Sequence, residues 1–268
     1  MIRTIVVGAY GKMGRETLKT VWNAEDMELV GAVDSHGEGT DVGLLIEAGP
    51  VGIRLENDLE EVLRRLRPDV AVDFTGPESV YQNAQIYLRN GVRPVIGATG
   101  LLQEQINQIV EQSENAGLGG LIAPNFAIGA LLMIKFAAEA VRYLPHVEII
   151  EMHHDQKIDA PSGTAIKTAE AVLEQRGEQF SQGLTGEIEK LRGARGGDFA
   201  KGIRIHSVRL PGLVAHQEVI FGGLGQTLTL RHDSITRESF MPGVLLGIRK
   251  VMNLERVVYG LDKLLFES

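Results

Sequence analysis

The densest chemistry in the chain lies in the run His153-His154-Asp155-Gln156-Lys157-Ile158-Asp159-Ala160-Pro161-Ser162-Gly163-Thr164. Two histidines, a lysine and a Ser-Gly-Thr segment fall within twelve residues. Histidine changes charge near neutral pH and lysine carries a proton, so His153, His154 and Lys157 offer acid-base groups beside a bound anion. Ser162 in a helix-cap position, with the amides of Gly163 and Thr164 behind it, makes an anion pocket suited to a carboxylate. The plain alternative for the histidine pair is one ring in the core and one in solvent. A metal site built from His153, His154 and Asp155 is not expected, because adjacent strand residues point to opposite faces.

A second constellation sits near the start. The run Gly8-Ala9-Tyr10-Gly11-Lys12-Met13-Gly14 follows the apolar stretch Ile5-Val6-Val7. It is not the strict GxGxxG spacing, yet it supplies a tight turn at Gly8, bare backbone at Gly11 for a pyrophosphate, and Gly14 for close helix-strand packing. Asp34 ends the next apolar run, 20 residues beyond Gly14, where a carboxylate accepts hydrogen bonds from ribose hydroxyls. That acid suits NAD, whereas Lys12 and His36 offer charge for a 2′-phosphate, so NADH, NADPH or both remain open. Two further turns, Gly97-Ala98-Thr99-Gly100 and Ala123-Pro124-Asn125-Phe126, follow short apolar runs. Ligands in open α/β sheets bind at the carboxyl ends of strands, so both turns suit a nicotinamide ring and its carboxamide.

The elements that must position these residues alternate. Runs at 5–7, 29–33, 70–74, 95–96 and 121–123 read as buried parallel strands, separated by helical patterns at 13–22, after Asp58, from Gly76-Pro77 to Gly91, and between Gly100 and Gly117. Repeated β-α-β-α order favours a doubly wound α/β sheet. Beyond 126 the pattern changes to an apolar helix at 128–141, a strand at 147–154 and a helix at 164–175. A stretch from 176 to 202 with seven glycines reads as a mobile loop. Three alternating runs at 203–210, 214–221 and 226–232 are spaced like antiparallel strands, and 239–265 reads as helical. The expected layout is a dinucleotide-binding domain at 1–126 and 239–268, with a substrate-binding and oligomerisation domain at 127–238.

Composition narrows the classes. With 27 Lys and Arg against 35 Asp and Glu, the net charge of −8 makes the chain a poor binder of phosphate backbone, so no nucleic-acid partner is expected. The absence of cysteine excludes disulfides, thiolate catalysis and cysteine-ligated metal, and with them an aldehyde oxidoreductase acting through a thioester. Residues 116–134 carry no charge but contain four glycines, Pro124 and Asn125, which would break a membrane-spanning helix. No apolar signal segment is read near Met1, and a cytoplasmic location is expected.

The segment HHDQKIDAPSGTA at 153–165 resembles the signature of the 4-hydroxy-tetrahydrodipicolinate reductase family, also called dihydrodipicolinate reductases. The turns GAYGKMG, GATG and APNF, and the stretch from His206 to Glu218, look like the same family, so the resemblance covers essentially the whole chain. It implies a Rossmann-like nucleotide domain and an α+β substrate and oligomerisation domain with a mixed or antiparallel sheet. It further implies a homotetramer joined through that second sheet, and reduction of a cyclic dicarboxylate by NADH or NADPH with loss of water, in lysine biosynthesis through diaminopimelate. Carried over by position, His153 is the acid-base residue and Lys157 a proton donor, while His154, Ser162, Gly163 and Thr164 hold the substrate carboxylates. Gly8, Ala9, Tyr10, Gly11, Lys12, Met13, Asp34, Gly97, Ala98, Thr99, Ala123, Pro124, Asn125 and Phe126 then bind the cofactor. Some members carry an arginine just after the acid, where this chain has Ser35 and His36, and GTTG is frequent where it has GATG. A dinucleotide-sensing module without catalysis is the alternative from a different class.

Overall fold

A computed structural model describes residues 1–177, 180, 182–183 and 186–266. The chain divides into two compact units, Met1–Phe126 with Phe240–Ser268, and Ala127–Ser239.

The first unit is built on a seven-stranded sheet. In chain order its strands are β1 (Ile2–Val7), β2 (Met27–Val33), β3 (Leu55–Glu56), β4 (Val70–Asp73), β5 (Arg93–Ile96), β6 (Gly120–Ile122) and β12 (Val257–Tyr259). Spatially they run β12-β6-β5-β4-β1-β2-β3, all parallel. The order reverses between β1 and β4, and that reversal opens a crevice at the carboxyl ends of the strands. The helices are α1 (Lys12–Trp22), α2 (Val42–Leu45), α3 (Leu59–Leu66), α4 (Val80–Arg89), α5 (Gln103–Asn115), α8 (Met241–Val251) and α9 (Leu261–Phe266). Helix α1 buries the stripe Gly14, Thr17, Leu18 and Val21, and packs against α8. Asp58 caps α3 by accepting the Glu61 amide at 3.0 Å, the first half of a capping box.

The second unit carries a five-stranded sheet in the order β11-β10-β7-β9-β8. Its strands are β7 (His146–His153), β8 (Gly197–Ala200), β9 (Ile203–Arg209), β10 (Ala215–Gly223) and β11 (Gln226–Ser234). Helices α6 (Ile128–Ala140) and α7 (Gly163–Gln175) cover one face. Alternate residues of the strands, among them Val147, Ile149, Ile203, Ile205, Val219 and Phe221, form the core with Ala137, Ala169 and Val172 of those helices.

Three sequence expectations are corrected. β9 pairs with β7 in parallel, not antiparallel, because the connection between them includes α7 and crosses over one face of the sheet. The helical reading of 239–265 contains β12, a three-residue strand beside β6 that is too short to show a period. Helix α4 begins at Val80, since residues 77–79 form a turn closed by the Ser79 and Val80 amides on Gly76 O. The mobile-loop reading of 176–202 falls partly on 178, 179, 181, 184 and 185, outside the described residues; its end at 197–200 is β8. Among the described residues no helix is long and apolar enough to cross a membrane.

Candidate active site

In the first unit the site begins where β1 ends. Gly8 has φ +76°, and a Cβ there would stand 2.8 Å from the Phe74 carbonyl oxygen. A Cβ on Gly14 would lie 2.1 Å from Gly8 O, so helix α1 rests directly on the turn. Gly11 is the N-cap of α1 and no side chain caps it, while the first turn carries no acid; the helix dipole therefore favours an anion there. Ala9 is buried and contributes backbone alone, and Tyr10 lies exposed under the Arg15 guanidinium, 4.6 Å from its ring centre. Lys12 is exposed at the first helical position.

Asp34 accepts the Tyr10 amide on Oδ2 at 2.9 Å and the His36 amide on Oδ1 at 3.0 Å, which ties the end of β2 to the glycine turn. A cavity of about 530 Å³ opens between them, lined by Gly8, Gly11, Asp34, His36, Thr75 and Asn83 among others. A second, of about 170 Å³, is lined by Met13, Phe74, Gly97, Phe240 and the turn Ala123 to Phe126. The bare turn, uncapped helix start and terminal carboxylate fit a dinucleotide. Ala98 does not line the smaller cavity, because its methyl packs with Ile96 and Ile106 in the core, and Thr99 is exposed.

Sequence reasoning passed over Asp73, at the end of β4. It has no exposed surface and accepts from Thr75 N (2.8 Å), Thr75 Oγ1 (2.6 Å), Asn83 Nδ2 (3.0 Å) and Tyr87 OH (2.6 Å). Burial, then the charge and hydrogen bond of Asp73, push the Tyr87 hydroxyl well above its ordinary pKa. An aspartate inside the apolar run Val70–Phe74 was the available signal.

In the second unit the site is built where β7 meets α7. His153 ends β7, and its Nδ1 lies 2.5 Å from Glu151 Oε2. Glu151 is wholly buried; Arg209 spans it with Nη1 on Oε2 at 2.8 Å and Nη2 on Oε1 at 2.7 Å, and the Ser162 amide donates to Oε1 at 3.2 Å. Arg209 Nη2 also donates to Asp159 O at 2.8 Å, and the Asp159 carboxylate takes Lys157 Nζ at 2.6 Å. Ser162 caps α7 by accepting the Ala165 amide at 3.2 Å, which leaves the helix start at Gly163 and Thr164 beside the network. His154 is exposed, and its carbonyl accepts the Lys157 amide at 3.2 Å. Glu151 and Arg209 were missed as site residues. Period two in a strand was the signal, because it places Glu151 on the same buried face as Val147 and Ile149.

Burial outweighs the Glu151 hydrogen bond and charge at His153, and with the cations of Lys157 and Arg209 it holds the imidazole below its ordinary pKa. At Glu151 burial acts upward, but hydrogen bonds from Arg209, Ser207 and His153 outweigh it and hold the carboxyl below its ordinary value. The Lys157 hydrogen bond does the same for Asp159. Among the described residues no group of three or more His, Asp or Glu could hold a metal ion.

Two family models match the chain: "Dihydrodipicolinate reductase, N-terminus" over residues 2–126 and "Dihydrodipicolinate reductase, C-terminus" over residues 129–265. The chain belongs to the dihydrodipicolinate reductase family. It is 54% identical over 265 residues to the 4-hydroxy-tetrahydrodipicolinate reductase of Desulfitobacterium hafniense, covering 98% of each chain. It is 53% identical to that of Halalkalibacterium halodurans, covering 99% of this chain and 100% of the relative. The solved dipicolinate-bound dihydrodipicolinate reductase from Paenisporosarcina sp. TG-14 superposes with a TM-score of 0.86 at 50% identity, covering 98% of this chain and 99% of that one. As a member of this reductase family the chain is an NAD(P)H-dependent oxidoreductase with a small-molecule substrate, and the alternative of a non-catalytic sensing module falls away.

Proposed function

We propose that the chain reduces 4-hydroxy-tetrahydrodipicolinate to tetrahydrodipicolinate, with loss of water, in lysine biosynthesis through diaminopimelate, and that His153 and Lys157 are its acid-base pair. The observation that carries this assignment of roles is the shared carboxylate: Glu151 binds both the His153 ring and the amide of Ser162. A group that moves protons and a turn that binds anions are thereby fixed side by side.

Elimination removes the hydroxyl and a neighbouring proton as water, and saturating the resulting double bond takes one hydride and one proton. The hydride is the chemistry the reduced nicotinamide supplies when bound. The proton is this chain's part. Lys157, held by Asp159 at 2.6 Å, is a cation placed to donate it, while His153, biased toward the neutral form, is placed to accept or relay one. The amides at the start of α7, with the hydroxyl of Thr164 and the exposed His154, hold the two carboxylates; the first turn of α7 carries no competing acid. Dipicolinate, a flat dicarboxylate, is the ligand named for the Paenisporosarcina relative, and it fits the same demand.

Gly8, Gly11, Lys12, Met13, Asp34, Gly97 and the turn Ala123 to Phe126 bind the cofactor, with Ala9, Tyr10, Ala98 and Thr99 contributing backbone. Asp34 followed by Ser35 favours NADH, and Lys12 with His36 allows NADPH as well. The second unit's sheet, with Ile150, Met152 and Ile220 half-buried on the face away from the helices, supports assembly as a homotetramer. Light scattering of the purified chain tests the assembly.

Replacing His153 by Gln together with Lys157 by Met tests the roles. Turnover is expected to fall by about 10² to 10⁴-fold with NADH binding retained. Near-parental turnover would remove both residues from the chemistry.

A further inference from the structure

We infer that Glu151 is the positioning residue of this acid-base site: it holds the His153 ring with Nδ1 protonated and Nε2 presented, and the same carboxylate fixes the Ser162 amide that opens the anion turn. The inference rests on His153 acting as proposed above.

Glu151 is ionised, since its hydrogen bonds from Arg209, Ser207 and His153 outweigh the upward push of burial. An ionised carboxylate has acceptors and no donor. The 2.5 Å contact with His153 Nδ1 therefore requires the hydrogen to sit on Nδ1. A neutral imidazole has one N–H, so Nε2 keeps its lone pair and is the atom that takes a proton and returns it.

The position of the carboxylate is over-determined. Both oxygens are bridged by Arg209, Oε1 also accepts the Ser162 amide, and Oε2 holds the His153 ring. Rotating Glu151 to release the histidine would break a two-pronged ion pair on a carboxylate with no exposed surface. The side chain of His153 is 15% exposed, so its ring is held on the Nδ1 side and open to solvent or substrate over a small remainder. The charged groups acting on the ring are Glu151, Lys157 and Arg209; the carboxylate favours the imidazolium and the two cations oppose it.

Glu151 acting only as counter-ion to Arg209 is the competing account, and it makes no demand on the histidine tautomer. Nitrogen NMR of the ring, recorded on the full-length chain above the His153 titration, separates the two. The expected spectrum is that of the Nδ1–H tautomer; a dominant Nε2–H tautomer overturns the inference without any variant. In Glu151→Gln, kcat should fall about 10²-fold with KM for NADH unchanged, and the His153 titration should move to lower pH because the carboxylate that favoured the imidazolium is gone. Glu151→Asp should restore the titration and part of kcat. Parental kcat and titration in a folded Glu151→Gln chain would overturn the inference, and if that variant does not fold the parental tautomer decides. Parental kcat in His153→Gln would sink the role of His153 itself, whereas a collapsed His153→Gln beside a parental Glu151→Gln would sink the role of Glu151 alone.

Discussion

The hydroxyl of Tyr87 donates to the carboxylate of Asp73 at 2.6 Å, and neither side chain has any exposed surface. One helix residue thus holds the acid that organises the turn after β4, because the same carboxylate accepts from Thr75 and Asn83, which line the larger cavity of the first unit. Tyr87→Phe leaves a buried charge one donor short. We expect a loss of about 1–3 kcal/mol in unfolding free energy, together with weaker NADH binding as the turn loosens. Denaturant unfolding at parental stability would show that the bond carries no weight.

Gly14 is expected to resist the smallest enlargement. A methyl there would sit 2.1 Å from Gly8 O and 2.6 Å from Ala9 Cα, both backbone atoms that cannot step aside alone. Gly14→Ala should push α1 off the turn, destabilise the chain by about 1–3 kcal/mol and weaken NADH binding. Calorimetric titration and thermal unfolding read the two effects separately, and an unchanged affinity would contradict the packing described for the turn.

Asp34 should set cofactor preference. Its oxygens already order the Tyr10 and His36 amides, and the ionised form accepts from ribose hydroxyls while repelling a 2′-phosphate. Asp34→Asn removes the charge and keeps one acceptor, so NADH affinity should fall about tenfold and NADPH affinity should fall less or rise. Equal losses for the two cofactors would remove Asp34 from discrimination.

Two depressed values in the second unit's network set part of the pH dependence. His153 titrates below the ordinary 6.5, chiefly through burial, so between its folded value and 6.5 the unfolded chain binds a proton that the folded chain does not. Its contribution to stability is present above 6.5 and is lost as pH falls through that window. Glu151, held below 4.5, behaves the same way at lower pH: its contribution is present above 4.5 and is lost as pH falls through its lowered value. Denaturant midpoints should therefore fall on acidification below 6.5 and again below 4.5, and His153→Gln should shrink the upper loss to the part that belongs to His232, whose value burial also lowers. An upper loss of parental size in that variant would remove His153 from it.

The first unit was largely legible in the sequence because its signals are local. The run 5–7, the three glycines and Asp34 fall within one βαβ stretch, and the physics of turn, helix start and ribose acid acts over those few residues. β12 was not legible, since Val257–Tyr259 forms a strand only by pairing with β6. The second unit was less legible for the same reason. His153, Lys157 and the groups that hold them, Glu151 and Asp159, stand close together in sequence, but the cation that fixes Glu151 comes from elsewhere: Arg209 reaches it from the end of β9, whose parallel pairing with β7 depends on the crossover through α7. The buried Glu151 was visible in principle as a charge on the core face of a strand, a position that demands a partner.

The most direct measurement is a steady-state assay of reduced-nicotinamide oxidation by the full-length chain, with 4-hydroxy-tetrahydrodipicolinate generated enzymatically as substrate. The expected result is oxidation that depends strictly on that substrate, yields tetrahydrodipicolinate and is inhibited by dipicolinate, with NADH used at least as well as NADPH. No oxidation of either cofactor in the presence of the substrate would contradict it.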